Sequence, residues 1–124
     1  MTIVVEDYDA AIEFFVETLG FELVEDLPAV GRDGQPKRWV VVRPIGEPTG
    51  IVLARPSTPD EEAVIGRQVA GRVGFFLQTD NFNEAHKRLV DAGVEFVRPP
   101  RIERYGRVAV FRDIAGNLWD LLGP

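Results

Sequence analysis

The feature that most constrains this chain is that it repeats itself. Displaced by 73 positions, Asp7 falls on Asp80, Gly20 on Gly93, Glu22 on Glu95 and Val24 on Val97. The apolar positions between them also match: Ile12 with Ala85, Val16 with Leu89 and Leu19 with Ala92. No gap is needed over these 18 residues. A chain of 124 residues has room for one domain with a single core. The repeat therefore divides one domain into two similar modules, and this outranks any local reading of the chain.

Each copy has the same grammar. The first opens with an apolar strand, Ile3-Val4-Val5, after which Asp7 can cap a helix by accepting from a free backbone N–H. Ile12, Phe15, Val16 and Leu19 then recur at i, i+3, i+4 and i+7, one apolar stripe, and Gly20 supplies the left-handed stop. Strands are predicted over residues 21–25, 38–43 and 50–55. They are separated by turn formers at Gly31-Arg32-Asp33-Gly34 and Pro44-Ile45-Gly46-Glu47-Pro48.

The second copy predicts a strand over 73–78, a cap at Asp80 and a helix stripe of Phe82, Ala85, Leu89 and Ala92 ending at Gly93. Strands follow over 94–98, 107–112 and 118–122. Between the copies, Thr58 can cap, Pro59 suits a first helical position and Glu61 completes a capping box, so a short helix is predicted to end near Gly66. The expected fold class is α+β, with tandem βαβββ modules forming curved mixed sheets around an open cleft. The modules span residues 1–55 and 72–124, joined by a linker over 56–71.

Composition narrows the function. Hydrophobic residues make up 45% and charged residues 27%, which suits a folded globular chain. The net charge of −6 argues against nucleic acid, whose binders need a basic surface. No apolar run reaches the roughly 18 residues of a membrane span. Glu6, Asp7 and Asp9 interrupt any signal-peptide core at the start. The absence of cysteine removes disulfides and thiolate chemistry and fits a cytoplasmic location. With one histidine, a single chain cannot build a site that needs two imidazoles.

The tandem βαβββ grammar, together with Val5-Glu6-Asp7-Tyr8-Asp9-Ala10-Ala11, Phe14-Phe15, Leu19-Gly20-Phe21, Phe111-Arg112-Asp113 and Gly116-Asn117-Leu118-Trp119-Asp120-Leu121, resembles the vicinal oxygen chelate superfamily. This is the glyoxalase/bleomycin resistance protein/dioxygenase family. Ile114-Ala115 stand where the family's closing turn usually has Pro-Asp. The resemblance implies paired modules, a ligand cleft and commonly a homodimer. In metal-dependent members it also implies ligands on the first, fourth, fifth and eighth strands. Carried over by position, the first falls one residue before Met1, the second on Ile51, the third on Val73 and the fourth on Asp120. One carboxylate does not hold a divalent ion tightly, so neither a metal nor another cofactor is expected. His86 lies in the second helix, off its apolar stripe, and is expected to be solvated.

Strand alternation then selects the cleft. If Asp120 faces inward, Leu118 and Leu122 do too, while Trp119 and Leu121 pack under a helix. The same counting sends Ile51, Leu53 and Arg55 inward from the fourth strand, Val73, Phe75 and Leu77 from the fifth, and Thr2 and Val4 from the first. Candidate ligand-binding residues are Arg38, Trp39, Leu53, Arg55, Phe75, Leu77, Tyr105 and Asp120. Arg38 can clamp an anion or end a strand at the surface, and Trp39 can stack on a ligand or pack in the core. Arg55 can pair with Asp120 or bind a carboxylate. Asp120 and Tyr105 are the only acid–base candidates.

The expected function is metal-free binding of a small apolar or aromatic molecule by a homodimer, without nucleic-acid or membrane partners. The alternative is a lyase, isomerase or dioxygenase of the same superfamily with a displaced or incomplete metal site. Whether the chain is an enzyme is left open by its residues.

Overall fold

The computed structural model describes residues 1–124. In chain order the elements are β1 (Thr2–Val4), α1 (Tyr8–Ile12), a π-helical continuation (Glu13–Thr18), β2 (Glu22–Val30), β3 (Pro36–Arg43), β4 (Ile51–Ala54) and α2 (Pro59–Ala63). The second half adds β5 (Val73–Gln78), α3 (Phe82–Asp91), β6 (Arg101–Glu103), β7 (Gly106–Arg112) and β8 (Leu118–Gly123).

The repeat becomes two sheets of identical topology. The orders are β1-β4-β3-β2 and β5-β8-β7-β6. In each, the opening strand runs parallel to the last one and the remaining pairs are antiparallel. The fold is α+β, with two mixed, unclosed sheets.

Local chemistry explains most boundaries. Asp7 Oδ2 accepts from Ala10 N at 2.9 Å and starts α1. Thr58 Oγ accepts from Glu61 N at 3.1 Å, while Glu61 Oε1 accepts from Ser57 N at 3.0 Å, so the box predicted for α2 forms. Gly20 and Gly93 close the two helices at φ +81° and +88°, where a side chain would be strained.

The cap of α3 is Asn81, not Asp80: Asn81 Oδ1 accepts from Glu84 N at 3.2 Å. In the first helix the buried residues are Tyr8, Ala11, Phe15 and Leu19. Leu19 N donates to Phe14 O at 2.9 Å, five residues back, and this widened turn rotates Ile12 and Val16 to half-buried positions. In α3, Phe82 and Leu89 are buried but Ala92 is exposed.

Residues 94–98 were predicted as a strand. They make only the bridge Phe96 to Phe111, and the regular strand is β6. Both lie along the same side of β7, separated by Pro99-Pro100, which have no N–H to donate to a ladder.

One core joins the two sheets. Phe15 and Phe21 from the first repeat meet Trp119 from the second, with ring centroids 6.0 and 6.4 Å apart. The linker secures the seam. Gln68 Nε2 donates to Thr2 O at 2.9 Å, and its Oε1 accepts from Val4 N at 2.6 Å, so a side-chain amide occupies the free edge of β1. Arg88 donates to Thr18 O at 2.8 Å, satisfying a carbonyl at the end of the first helix.

Candidate functional site

The site is built from the two sheet faces turned away from this core. On β8, Trp119 and Leu121 are buried, and Leu118, Asp120 and Leu122 occupy the opposite face, as alternation predicted.

β5 departs from simple counting. Val73 pairs with Leu118, but Phe75 pairs with Trp119 and Phe76 with Asp120. Gly74 is the extra residue of a β-bulge, which reverses the phase of everything after it. Phe75 therefore turns into the core, stacked on Trp119 at 4.9 Å, and Leu77 packs against the same core. Phe76, 62% exposed, stands beside Asp120 in their place. A Cβ on Gly74 would run into Val69 Cγ2. A lone glycine inside a strand is itself the signal of a bulge, and it was the clue that could have found Phe76.

In the first sheet Thr2 and Val4 face away from the core as expected, but β4 is one residue out of phase. Ile51 and Leu53 are buried in the core, and Val52 and Ala54 face outward. Ile-Val-Leu-Ala is apolar at every position, so its pattern does not mark a face. By register, Val52 aligns with Thr2 on one side and Val41 on the other. Trp39 shares the face of Val41, opposite Leu27 on β2. Trp39 is 45% and Leu27 54% exposed, so Trp39 is not a core residue.

The arginine candidates are placed elsewhere. Arg38 forks onto Asp26, at 3.0 and 2.6 Å, and also reaches Asp9 at 2.9 Å. Its guanidinium lies over the Tyr8 ring at 5.2 Å. The bonds to Asp26 and then Asp9 hold Arg38 above its ordinary value, so its charge is committed within the chain. Arg55 lies beyond β4, exposed, and forms no ion pair with Asp120; its backbone carbonyl accepts from Lys37 Nζ at 3.2 Å. Tyr105 is exposed at the tip of the β6–β7 hairpin. His86 is half-buried rather than solvated, packed between Phe82 and Phe96 at 5.6 and 4.4 Å.

Asp120 sits in a cavity of about 460 Å³ lined by Arg72, Val73, Phe76, Arg98 and Leu118 among others. Its Oδ1 is buried without a hydrogen-bond partner. Burial pushes the carboxyl above its ordinary value of 3.8, and Arg101 and then Arg98 pull it partly back. Neither Arg72 nor Arg98 was singled out from sequence, since nothing in their neighbourhoods distinguishes them from other surface arginines.

This raised value has a consequence for stability. The folded chain holds the Asp120 proton more tightly than the unfolded chain. Wild-type stability is thus undiminished below pH 3.8 and falls as pH rises through the folded-state value. Asp120→Asn removes the loss. In thermal unfolding the variant is expected to melt above wild type at pH 7, with the gap closing below pH 3.8. A gap that is constant across this range would contradict a raised Asp120.

The donor set does not fit a divalent cation. Around Asp120 the chain offers one carboxylate, two guanidinium groups and apolar side chains. No cluster of three His, Asp or Glu side chains is placed to hold a metal ion.

Comparison with known proteins agrees with the fold. The model of the Glyoxalase/Bleomycin resistance protein/Dioxygenase superfamily matches residues 1–121. An uncharacterized protein of Shewanella frigidimarina is 49% identical over 123 residues, 98% of this chain and 89% of that protein. Among solved structures, UcmS2 is 36% identical with a TM-score of 0.80, over 98% of this chain and 93% of its own. TnmS3 from Streptomyces sp. CB03234, described as an antibiotic binding protein, is 34% identical with a TM-score of 0.77, over 100% of this chain and 92% of its own. No helix of this chain is long and apolar enough to cross a membrane.

Proposed function

The chain belongs to the Glyoxalase/Bleomycin resistance protein/Dioxygenase superfamily, and from that premise we propose that it binds a small aromatic or apolar molecule without a metal. The carrying observation is the exposed apolar surface of the open faces: Leu27 with Trp39 on the first sheet, and Phe76 beside Asp120 on the second. Large apolar side chains left on a sheet face call for a ligand or a partner. The cavity around Asp120 is lined by the second sheet and the segments flanking it, with no residue of the first sheet. In this reading a second copy covers it, so that the first-sheet face of one protomer closes over the second-sheet face of the other. The description of TnmS3 as an antibiotic binding protein supports a ligand of this kind. The absence of cysteine suits work in the reducing cytoplasm.

The test uses 2-naphthol as a neutral aromatic probe. Calorimetric titration is expected to give saturable binding, with Trp39→Ala and Phe76→Ala each weakening it about tenfold, ~1.4 kcal/mol. Sedimentation is expected to show a dimer at micromolar concentration. A monomer would remove the shared cleft, and binding indifferent to both substitutions would remove the open faces as the site.

A further inference from the structure

Charge around the second-sheet cavity is unusual for this chain. The protein carries 20 acidic residues against 14 basic ones, yet the cavity holds Arg72 and Arg98 with a single carboxylate, Asp120. Several other arginines are neutralised within the chain. Arg101 pairs with Glu103 at 2.8 Å, Arg112 with Glu95 at 2.5 Å, and Arg38 with Asp26 and Asp9. Arg72 and Arg98 make no such pair. With Asp120 ionised, the lining carries −1 + 2 = +1. Asp120 presents a carboxylate to the cavity, and Phe76, Val73 and Leu118 offer apolar surface.

These features define a complement. One negative charge on the ligand brings the cavity to neutrality, and a guanidinium fork matches a carboxylate in shape as well as charge. A hydrogen-bond donor elsewhere on the ligand finds an acceptor in the Asp120 carboxylate. A flat ring fills the space along Phe76. A cationic amine would answer the Asp120 oxygen but would raise the cavity charge to +2.

We infer that the Asp120 cavity selects aromatic carboxylic acids that also bear a hydroxyl donor, with Arg72 and Arg98 holding the carboxylate and the Asp120 carboxylate accepting from the hydroxyl. This rests on the reading that the open faces bind aromatic ligands, and it adds the class of ligand.

The test compares 2-naphthol, 2-naphthoate and hydroxy-2-naphthoates substituted at the 3- or 6-position by calorimetric titration at pH 7. At least one hydroxynaphthoate is expected to bind at least tenfold more tightly than 2-naphthoate or 2-naphthol. Asp120→Leu is expected to bring the hydroxynaphthoates level with 2-naphthoate. Arg72→Leu combined with Arg98→Leu is expected to weaken every acid at least tenfold and leave 2-naphthol within twofold. Retained 2-naphthol binding shows that the double variant is folded. If 2-naphthol binds wild type as tightly as the acids, or the ranking survives the arginine substitutions, the inference is overturned while aromatic binding stands. If none of the probes binds, both readings fall.

Discussion

Replacing Asp113 by alanine is expected to lower stability by about 3–5 kcal/mol, a large share of what a domain of this size possesses. The side chain is buried at the turn between β7 and β8. Its Oδ1 accepts from the backbone N–H groups of Ala115, Gly116 and Asn117, all at 2.9 Å. Its Oδ2 accepts from Trp119 Nε1 at 2.9 Å and Asn117 Nδ2 at 3.3 Å. Alanine removes this carboxylate acceptor from all five donors, of which only Gly116 N keeps a second bond, to Asp113 O at 3.0 Å. Asn117 and Trp119 are themselves buried, so water does not readily replace the lost carboxylate.

Asp113→Asn keeps one oxygen but turns an amide donor toward other donors, and is expected to fall between alanine and wild type. Urea unfolding measures both. The midpoint should drop with an unchanged slope, because the surface exposed on unfolding is the same. A loss below about 1 kcal/mol for Asp113→Ala would mean that the turn holds its shape without the carboxylate.

Trp119→Ala is expected to cost a similar amount, about 3–5 kcal/mol, by a different route. Its ring lies within 4.9 Å of Phe75, 5.8 Å of Phe111, 6.0 Å of Phe15 and 6.4 Å of Phe21. Two of these partners come from each repeat, so the substitution opens a cavity where the sheets meet. Trp119→Phe keeps most of the packing but loses the donor to Asp113, and its cost should be smaller. The two sites share the Nε1–Oδ2 hydrogen bond. The combined Asp113→Ala, Trp119→Ala variant should therefore lose less than the sum of the singles, by about 1 kcal/mol. Strict additivity in the same urea experiment would show that the bond contributes nothing. Substitution here also tests the site indirectly, because Trp119 facing the core leaves Asp120 facing the cavity.

Much of the architecture was legible because it depends on short-range chemistry. β5 spans Val73–Gln78 as predicted from its apolar run. Thr58-Pro59-Asp60-Glu61 carries its own helix start, and Gly20 and Gly93 carry their own helix stops. The site was less legible, because its faces depend on phase. A single bulge at Gly74 replaced Phe75 and Leu77 with Phe76. The uniformly apolar β4 gave no pattern to count from, and Leu53 went to the core. Arg38 is a candidate clamp for an anion by its chemistry, but Asp26 and Asp9, 12 and 29 residues away, claim it.

The repeat, the caps and the turn residues were enough to determine two βαβββ units and the family pattern, because hydrogen bonds within a few residues decide those elements. They also limited the nitrogen and sulfur donors this chain can offer: it has one histidine and no cysteine. Which side chains share a face was decided only by tertiary structure. A strand has two faces related by one residue, and the choice between them lies with its neighbours, through register, bulges and the volume available in the core. That choice turned Phe76 and Asp120 to one face, where Arg72 and Arg98 line the cavity beside them.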